Sequence, residues 1–180
     1  MAPRKYAIVG TGSRAGFFYA AIAQDFRDTA TVVALCDTNQ TRMNYANERL
    51  EALGHPRVPT YPAADFDRMV REANPDEVIV TTIDRTHDIY ITRALALGRN
   101  VVTEKPMTID EARCRAILDA VERAGPQRRL RVTFNYRYAP HNSRVRSLLA
   151  SGAIGRVTAV HFEWALDTTH GADYFLHAPL

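Results

Sequence analysis

The stretch YAIVGTGSRAG, Tyr6 to Gly16, decides the fold. A compact apolar run ends in glycine, and small residues then open a segment with helical spacing, Ala15, Phe18, Tyr19, Ile22 and Phe26. Gly10, Gly12 and Ala15 match the pattern G-x-G-x-x-G/A. Gly10 permits a tight turn, Gly12 lets a diphosphate approach the backbone, and Ala15 is small enough for the helix to pack on the strand. Free N–H groups at the helix start favour negative charge there. Gly10, Thr11, Gly12, Ser13 and Arg14 are therefore candidate dinucleotide-binding residues. Taken alone the pattern is weak, because small residues also serve packing in strand-to-helix turns.

Context strengthens it. TVVALCD, Thr31 to Asp37, reads as the second strand, and Asp37 ends it. An acid at that place accepts the two hydroxyls of an adenosine ribose and repels a 2′-phosphate, which favours NAD. Arg14 and Arg42 offer a phosphate some compensation, so NADP stays open.

Further along, strand-like and helix-like segments alternate. A polar helix is expected from about Gln40 to Leu53, a connection with three prolines over Gly54–Pro62 with a short strand around Val58, and a helix from Asp65 to Ala73. EVIVTTI, Glu77 to Ile83, is continuously apolar enough for a strand buried on both faces. A helix through Tyr90, Ile91, Ala94 and Leu95 ends at Gly98, where a C-terminal cap belongs. NVVTE is the next strand. Thr108-Ile109-Asp110-Glu111 reads as a capping box opening a helix with the stripe Ile109, Ala112, Ala116, Ile117, Ala120, Val121 and Ala124. LRVTFNYRY, Leu130 to Tyr138, reads as a strand, Pro140 to Ala150 as a helix, and Arg156 to about Leu166 as a last strand. This order predicts an α/β fold: a doubly wound parallel sheet over residues 1–138, followed by residues 139–180 as a helix and the first strand of another domain.

Composition bounds the function. Of 180 residues, 46% are hydrophobic and 24% charged, as in soluble globular proteins, and 23 basic residues against 20 acidic ones give a net charge of +3. Six arginines between Arg128 and Arg146 carry no interleaved aromatic motif, so a solvated face is expected rather than a nucleic-acid partner. Cys36 and Cys114 are the only cysteines, with no metal-binding spacing, and suit a reducing cytoplasm. No metal is expected, and no apolar run suggests a membrane span or signal peptide.

GTGSRAG, CDTN, TTIDRTH and TEKPMT, in this order, resemble the glucose–fructose oxidoreductase and inositol dehydrogenase family (Gfo/Idh/MocA), and FNYRYAP and SGAIGRV look like later segments of it. The resemblance implies an N-terminal Rossmann domain, a C-terminal α/β domain, and NAD(P)-dependent oxidoreduction of a sugar, cyclitol or related polyol. By the same resemblance Gly10, Gly12, Arg14 and Asp37 would hold the cofactor's pyrophosphate and adenosine end. Thr82 and His87 would lie beside the dinucleotide, Glu104 would approach the nicotinamide ribose or amide, and Lys105 would face the reacting carbon–oxygen bond. An ammonium there can polarise the substrate oxygen and relay its proton. Arg137 and Tyr138 are candidate substrate residues.

From the residues alone, plainer roles also fit. Lys105 can simply reach solvent with Pro106 breaking the strand, and His87 can satisfy a local carbonyl at a helix start. Arg137 and Tyr138 can pack a strand end. His170 and Asp173 fit a polar loop, and His177 lies on no recognisable element. Two departures from the family pattern stand out: Ile83 replaces a proline after Thr82, and the chain stops soon after the expected first strand of the second domain, before a histidine-bearing acid/base segment. An apolar strand with Val160, Phe162 and Trp164 then predicts a homo-oligomer joined through it. A non-catalytic dinucleotide sensor of the same fold is the rival to an enzyme.

Overall fold

The computed structural model describes residues 2–163 and 165. It divides into two compact units, broken between Phe134 and Asn135. In the first, six parallel strands form one sheet: β1 (Arg4–Val9), β2 (Ala30–Asp37), β3 (Thr60–Pro62), β4 (Glu77–Val80), β5 (Asn100–Glu104) and β6 (Leu130–Thr133). Their order is β3-β2-β1-β4-β5-β6. The strand order reverses between β1 and β4, and such switch points form ligand crevices at the carboxyl ends of the strands. This is the expected Rossmann-like α/β architecture.

Alternation along the strands builds two cores. Ala7, Val9, Val78 and Val80 face α3 (Phe66–Ala73), α4 (His87–Ala96) and α5 (Glu111–Ala124), burying Phe66, Met69, Ile91 and Ile117. Ile8, Leu35 and Ile79 face the other way, onto α1 (Ala15–Ala23) and α2 (Gln40–Ala52), with Tyr19, Ile22, Met43 and Leu50. Because each central strand is buried on both faces, its sequence reads as continuously apolar. Asn39 caps α2 by accepting from Arg42 N at 3.2 Å, and Gly98 closes α4 at φ 71°.

Several elements differ from expectation, each for a reason of pairing. The strand from Glu77 stops at Val80, not Ile83, since β1 ends at Val9, its last partner, and the chain turns at Gly10. The strand from Leu130 stops at Thr133, opposite Glu104, because β5 offers no partner beyond that residue. Residues Asn135–Tyr138 form a 3₁₀ turn instead. Val58 lies outside β3; its N–H donates to Asn47 Oδ1 at 2.9 Å and its carbonyl accepts from Asn47 Nδ2 at 3.0 Å. The buried Asn47 thus replaces a neighbouring strand.

The expected capping box is not formed. Asp110 is the N-cap, its carboxylate accepting from Arg113 N at 2.9 Å, while Glu111 turns outward to Arg115 at 2.6 Å. Thr108 Oγ1 is buried without a partner among the described residues, and Ile109 is exposed ahead of the helix. A charged oxygen at the residue flanking the first turn is the better acceptor for that orphan N–H. Phe26 also lies outside its expected helix and is exposed.

The second unit contains the 3₁₀ turn and α6 (Pro140–Ala150), which begins with proline at its first position and is followed by Gly152 at φ 72°. The strand expected from Arg156 is absent over residues 156–163, where no described segment offers a ladder; the remainder of that stretch, with Trp164, lies outside the described residues, as do His170, Asp173 and His177.

Candidate functional site

Four strands of the first unit end at one edge of the sheet, and the sequence motifs sit on those ends. Gly10 follows β1 at φ 88°, a backbone state that favours glycine. A Cβ there would lie 2.5 Å from Thr82 N and 2.6 Å from the Thr81 carbonyl carbon. The first glycine is therefore required by the close approach of the turn after β4, at the switch point itself. Gly12 is different: a Cβ there would meet nothing within 4 Å. The space over it is open. Among the described residues the N–H groups of Gly12, Ser13 and Arg14 have no backbone acceptor, and α1 begins next without a side-chain cap. Three donors at a helix start make an anion cradle.

Asp37 ends β2 and is buried. Its Oδ2 accepts from Thr11 N at 2.5 Å and Thr11 Oγ1 at 3.0 Å. Its Oδ1 accepts from Asn39 N at 2.9 Å and Thr38 Oγ1 at 3.3 Å. Four donors occupy a carboxylate with about four lone-pair sites. The acid is thus a brace for the glycine turn, and a ribose diol must displace hydroxyl donors to reach it.

Glu104 ends β5 and is also buried. Its Oε1 lies 3.4 Å from Arg14 Nε, and its Oε2 accepts from Lys105 N at 3.2 Å. Arg14 in turn lies over the ring of Phe17 at 5.1 Å. Lys105 is exposed, and its ammonium forms no ion pair with any carboxylate among the described residues. The Lys105–Pro106 peptide bond is cis.

Thr82 is partly exposed beside Gly10, its hydroxyl accepting from Thr86 Oγ1 at 2.9 Å. His87 is 1% exposed, with Nδ1 2.8 Å from the Pro106 carbonyl and Nε2 3.0 Å from that of Thr82. Sequence reading missed Thr81, whose buried hydroxyl donates to the Gly10 carbonyl at 2.6 Å and joins the two turns. Its only sequence signal was a hydroxyl at the end of a strand otherwise apolar. Arg137 and Tyr138 belong to the second unit, where with Ser143, Arg146 and Ser147 they line a hollow of about 280 Å³. Burial pushes the Cys36 thiol up to about 12, with the Asp37 carboxylate adding to the effect.

Residues 4–134 match the family GFO_IDH_MocA, described as an oxidoreductase family with an NAD-binding Rossmann fold. The chain belongs to the Gfo/Idh/MocA oxidoreductase family. It is 35% identical to YteT of Bacillus subtilis (strain 168) over 92% of this chain and 38% of that protein. It is 32% identical to inositol 2-dehydrogenase of Klebsiella pneumoniae (strain 342) over 70% of this chain and 35% of that one. The WlbA dehydrogenase of Bordetella pertussis, solved with NADH and UDP-GlcNAcA, superposes with a TM-score of 0.73 at 28% identity, covering 86% of this chain and 44% of that one. The scyllo-inositol dehydrogenase of Lactobacillus casei, solved with NAD(H) and scyllo-inositol, shares the fold with a TM-score of 0.76 at 23% identity over 87% of this chain and 44% of that one. The chain thus spans less than half the length of these proteins.

The Gfo/Idh/MocA domain fits its family's cofactor on its own geometry: open space over Gly12, three unengaged N–H donors, and buried acids ending β2 and β5. Among the described residues no group of three or more histidine, cysteine or acidic side chains could hold a metal. No described helix is long and apolar enough to cross a membrane.

Proposed function

We propose that this chain is the cofactor-binding part of an NAD-dependent oxidoreductase that moves hydride between nicotinamide and a secondary hydroxyl or carbonyl of a polyol-, cyclitol- or sugar-like substrate. The observation carrying this reading is Lys105: an exposed ammonium without a carboxylate partner among the described residues, next to a buried glutamate that is paired to the glycine turn. The names of the inositol 2-dehydrogenase and scyllo-inositol dehydrogenase relatives support the substrate class.

In this reading the N–H groups of Gly12, Ser13 and Arg14 hold the diphosphate, and Thr11 with Asp37 orders the adenosine end. Thr82 lines the wall beside the dinucleotide. Glu104 orients the nicotinamide end. When bound, the nicotinamide would supply the hydride chemistry. Lys105 as an ammonium hydrogen-bonds and polarises the carbonyl oxygen and passes it a proton as hydride reaches the carbon; in the reverse direction the resulting amine takes the hydroxyl proton back. A charged donor aimed at that oxygen stabilises developing charge more in the transition state than in the ground state. We place the protein in the cytoplasm, where two unpaired thiols persist, and assign it self-association through the exposed segment around Val160 and Phe162.

Calorimetric titration with NAD and NADP, followed by a cyclitol and sugar panel read at the reduced-cofactor absorbance, tests the reading. Turnover that disappears in Lys105→Ala while NAD binding stays is the expected result. Binding without turnover across the panel turns the assignment to a dinucleotide sensor, and no binding of either cofactor sinks it. A monomeric mass in sedimentation at micromolar concentration rejects the self-association.

A further inference from the structure

The edge of the sheet opposite the glycine turn carries a hollow of about 400 Å³, where β1, β4 and β5 begin. Arg4 opens β1, Asp76 directly precedes β4, Asn100 opens β5, and Gly98, Arg99 and Arg128 complete the wall. Arg4 has a counter-charge, its Nη2 lying 3.3 Å from Glu77 Oε2, although Glu77 is shared with Arg131. Arg99 donates from Nη1 to the neutral Pro75 carbonyl at 3.0 Å. The Arg128 guanidinium has no hydrogen-bond or carboxylate partner among the described residues. Asp76 Oδ2 accepts from Lys5 N at 2.8 Å, and the carboxylate forms no ion pair with these guanidiniums. One carboxylate on the wall opposes an anion, and two unpaired guanidiniums outweigh it.

The same hollow holds unsatisfied donors. Among the described residues three buried side-chain polar atoms lack a hydrogen-bond partner, and two of them are Arg4 Nε and Arg99 Nε. A buried N–H without an acceptor carries its desolvation cost, and in folded proteins such groups are rare. An oxyanion answers both needs, because it brings several acceptors together with the missing negative charge. The wall is also fixed in place. Asn100 Oδ1 accepts from Arg129 N at 3.0 Å, and Val101 N donates to Arg129 O at 2.8 Å, so the loop carrying Arg128 is fastened to β5. The Arg128 guanidinium rests against Gly98, where a Cβ would lie 3.8 Å from Nη2 and 3.9 Å from Nε.

We propose that this hollow binds a phosphate group, free or carried on a small hydroxylated molecule, with Arg99 and Arg128 as its principal donors and Arg4 beside them. The planar guanidinium fork matches phosphate oxygens two at a time. The volume of about 400 Å³ falls within the range of small-molecule pockets, roughly 300–1,000 Å³. Asp76 and Asn100 on the same wall offer an acceptor and a donor to hydroxyls. No aromatic side chain lines the hollow among the described residues, so the bases of a nucleic-acid strand have no stacking platform there. The site lies at the opposite ends of the strands from the glycine turn and stands whether or not that turn holds a dinucleotide.

Nitrogen-15 NMR and calorimetry of the 180-residue chain, in phosphate-free buffer at constant ionic strength, test the site with inorganic phosphate, glucose 6-phosphate and glucose. Phosphate is expected to move the Nε–H signals of Arg99 and Arg128 and the amide of Asn100, saturably. Arg99→Ala and Arg128→Ala should each weaken binding about tenfold. Arg129→Ala, next to Arg128 but outside the hollow, should keep the parent affinity. Arg128 is exposed and its side chain makes no hydrogen bond among the described residues, so Arg128→Ala is expected to fold and decides by itself if Arg99→Ala does not. Tighter binding of glucose 6-phosphate than of inorganic phosphate puts an ester in the hollow, and equal affinity puts the free ion there; either supports the site. Because the glycine turn is also suited to phosphate, the titration is repeated in Gly12→Ala, where the arginine signals should move as before. Shifts confined to the Gly12, Ser13 and Arg14 amides overturn the proposal, as does an equal loss of affinity in Arg129→Ala. Unchanged binding in Arg128→Ala, no shift at all, or a response to glucose matching that to glucose 6-phosphate overturns it too.

Discussion

Arg14 Nε stands 3.4 Å from Glu104 Oε1, so the glycine turn and the end of β5 are joined by an ion pair across the cofactor edge. The glutamate side chain is 8% exposed and the arginine 33%. Removing the arginine leaves a carboxylate short of its cation in a nearly dry position. Because the arginine is wetted, the expected loss for Arg14→Ala is about 1–2 kcal/mol rather than the larger penalty of a fully buried pair. Thermal melting should show it, and calorimetry should show weaker NADH binding in the same variant.

The two glycines of the turn should separate folding from binding. Gly10→Ala puts a methyl 2.5 Å from Thr82 N at a φ of 88°, so it should lower stability by about 3 kcal/mol or more. Gly12→Ala meets nothing within 4 Å and should melt like the parent. Its methyl occupies the open space over the cradle, so dinucleotide affinity should drop at least tenfold. Equal melting temperatures for the two variants would contradict this geometry.

Asp37 holds four donors from its own chain, so Asp37→Ala should act twice. It orphans the Thr11 and Asn39 N–H groups, costing about 2–3 kcal/mol. On the proposed reading it also removes the charge that would repel a 2′-phosphate, so the ratio of NAD to NADP affinity should fall. Chemical denaturation reads the first effect, and paired titrations read the second.

At the other end of the sheet, Glu77 is 1% exposed between Arg4 at 3.3 Å and Arg131 at 2.8 Å, tying β4 to β1 and β6. Glu77→Gln should lower stability by about 1–3 kcal/mol, since both arginines lose a buried counter-charge. NADH affinity should stay at the parent value, because Glu77 opens the strand whose far end carries the site. A change in affinity without a change in melting would reverse the assignment.

Cys36 has its thiol raised from 9.0 to about 12, chiefly by burial. The folded chain therefore keeps a proton that the unfolded chain releases above about pH 9, so stability should fall as pH rises from 9 toward 12, by up to about 1.4 kcal/mol per pH unit from this group. Buried Tyr19 and the partly buried Tyr6 and Tyr90 are raised in the same direction and add to the alkaline loss. Below pH 9 none of this is felt. Denaturation midpoints across the alkaline range check the sign, and alkylation of the native chain should label Cys114 before Cys36.

Much of the site was legible because its signals are local. Gly10, Gly12, Asp37, Glu104 and Lys105 all fall on strand ends that hydrophobic runs mark out by themselves. Thr81 was not legible, since a threonine at the end of an apolar strand has many uses. His87 carried two readings in sequence, and the structure gives it the local-carbonyl partner together with a second one nineteen residues along the chain. Asp110 displaced Thr108 as the N-cap because two adjacent acceptors competed and only backbone placement chose between them.

The sequence by itself determined the alternation of strands and helices, the glycine turn on the first strand, and the placing of an acid and a lysine at strand ends. Those follow from periodicity and turn chemistry, which act over a few residues. Only the tertiary structure decided that Gly10 meets Thr82, that Arg14 pairs with Glu104, that Thr11 fills Asp37, and where β4 and β6 stop. The crossover order of the sheet sets these, because a strand ends where its neighbour does and a side chain's partner is whichever segment the sheet brings beside it.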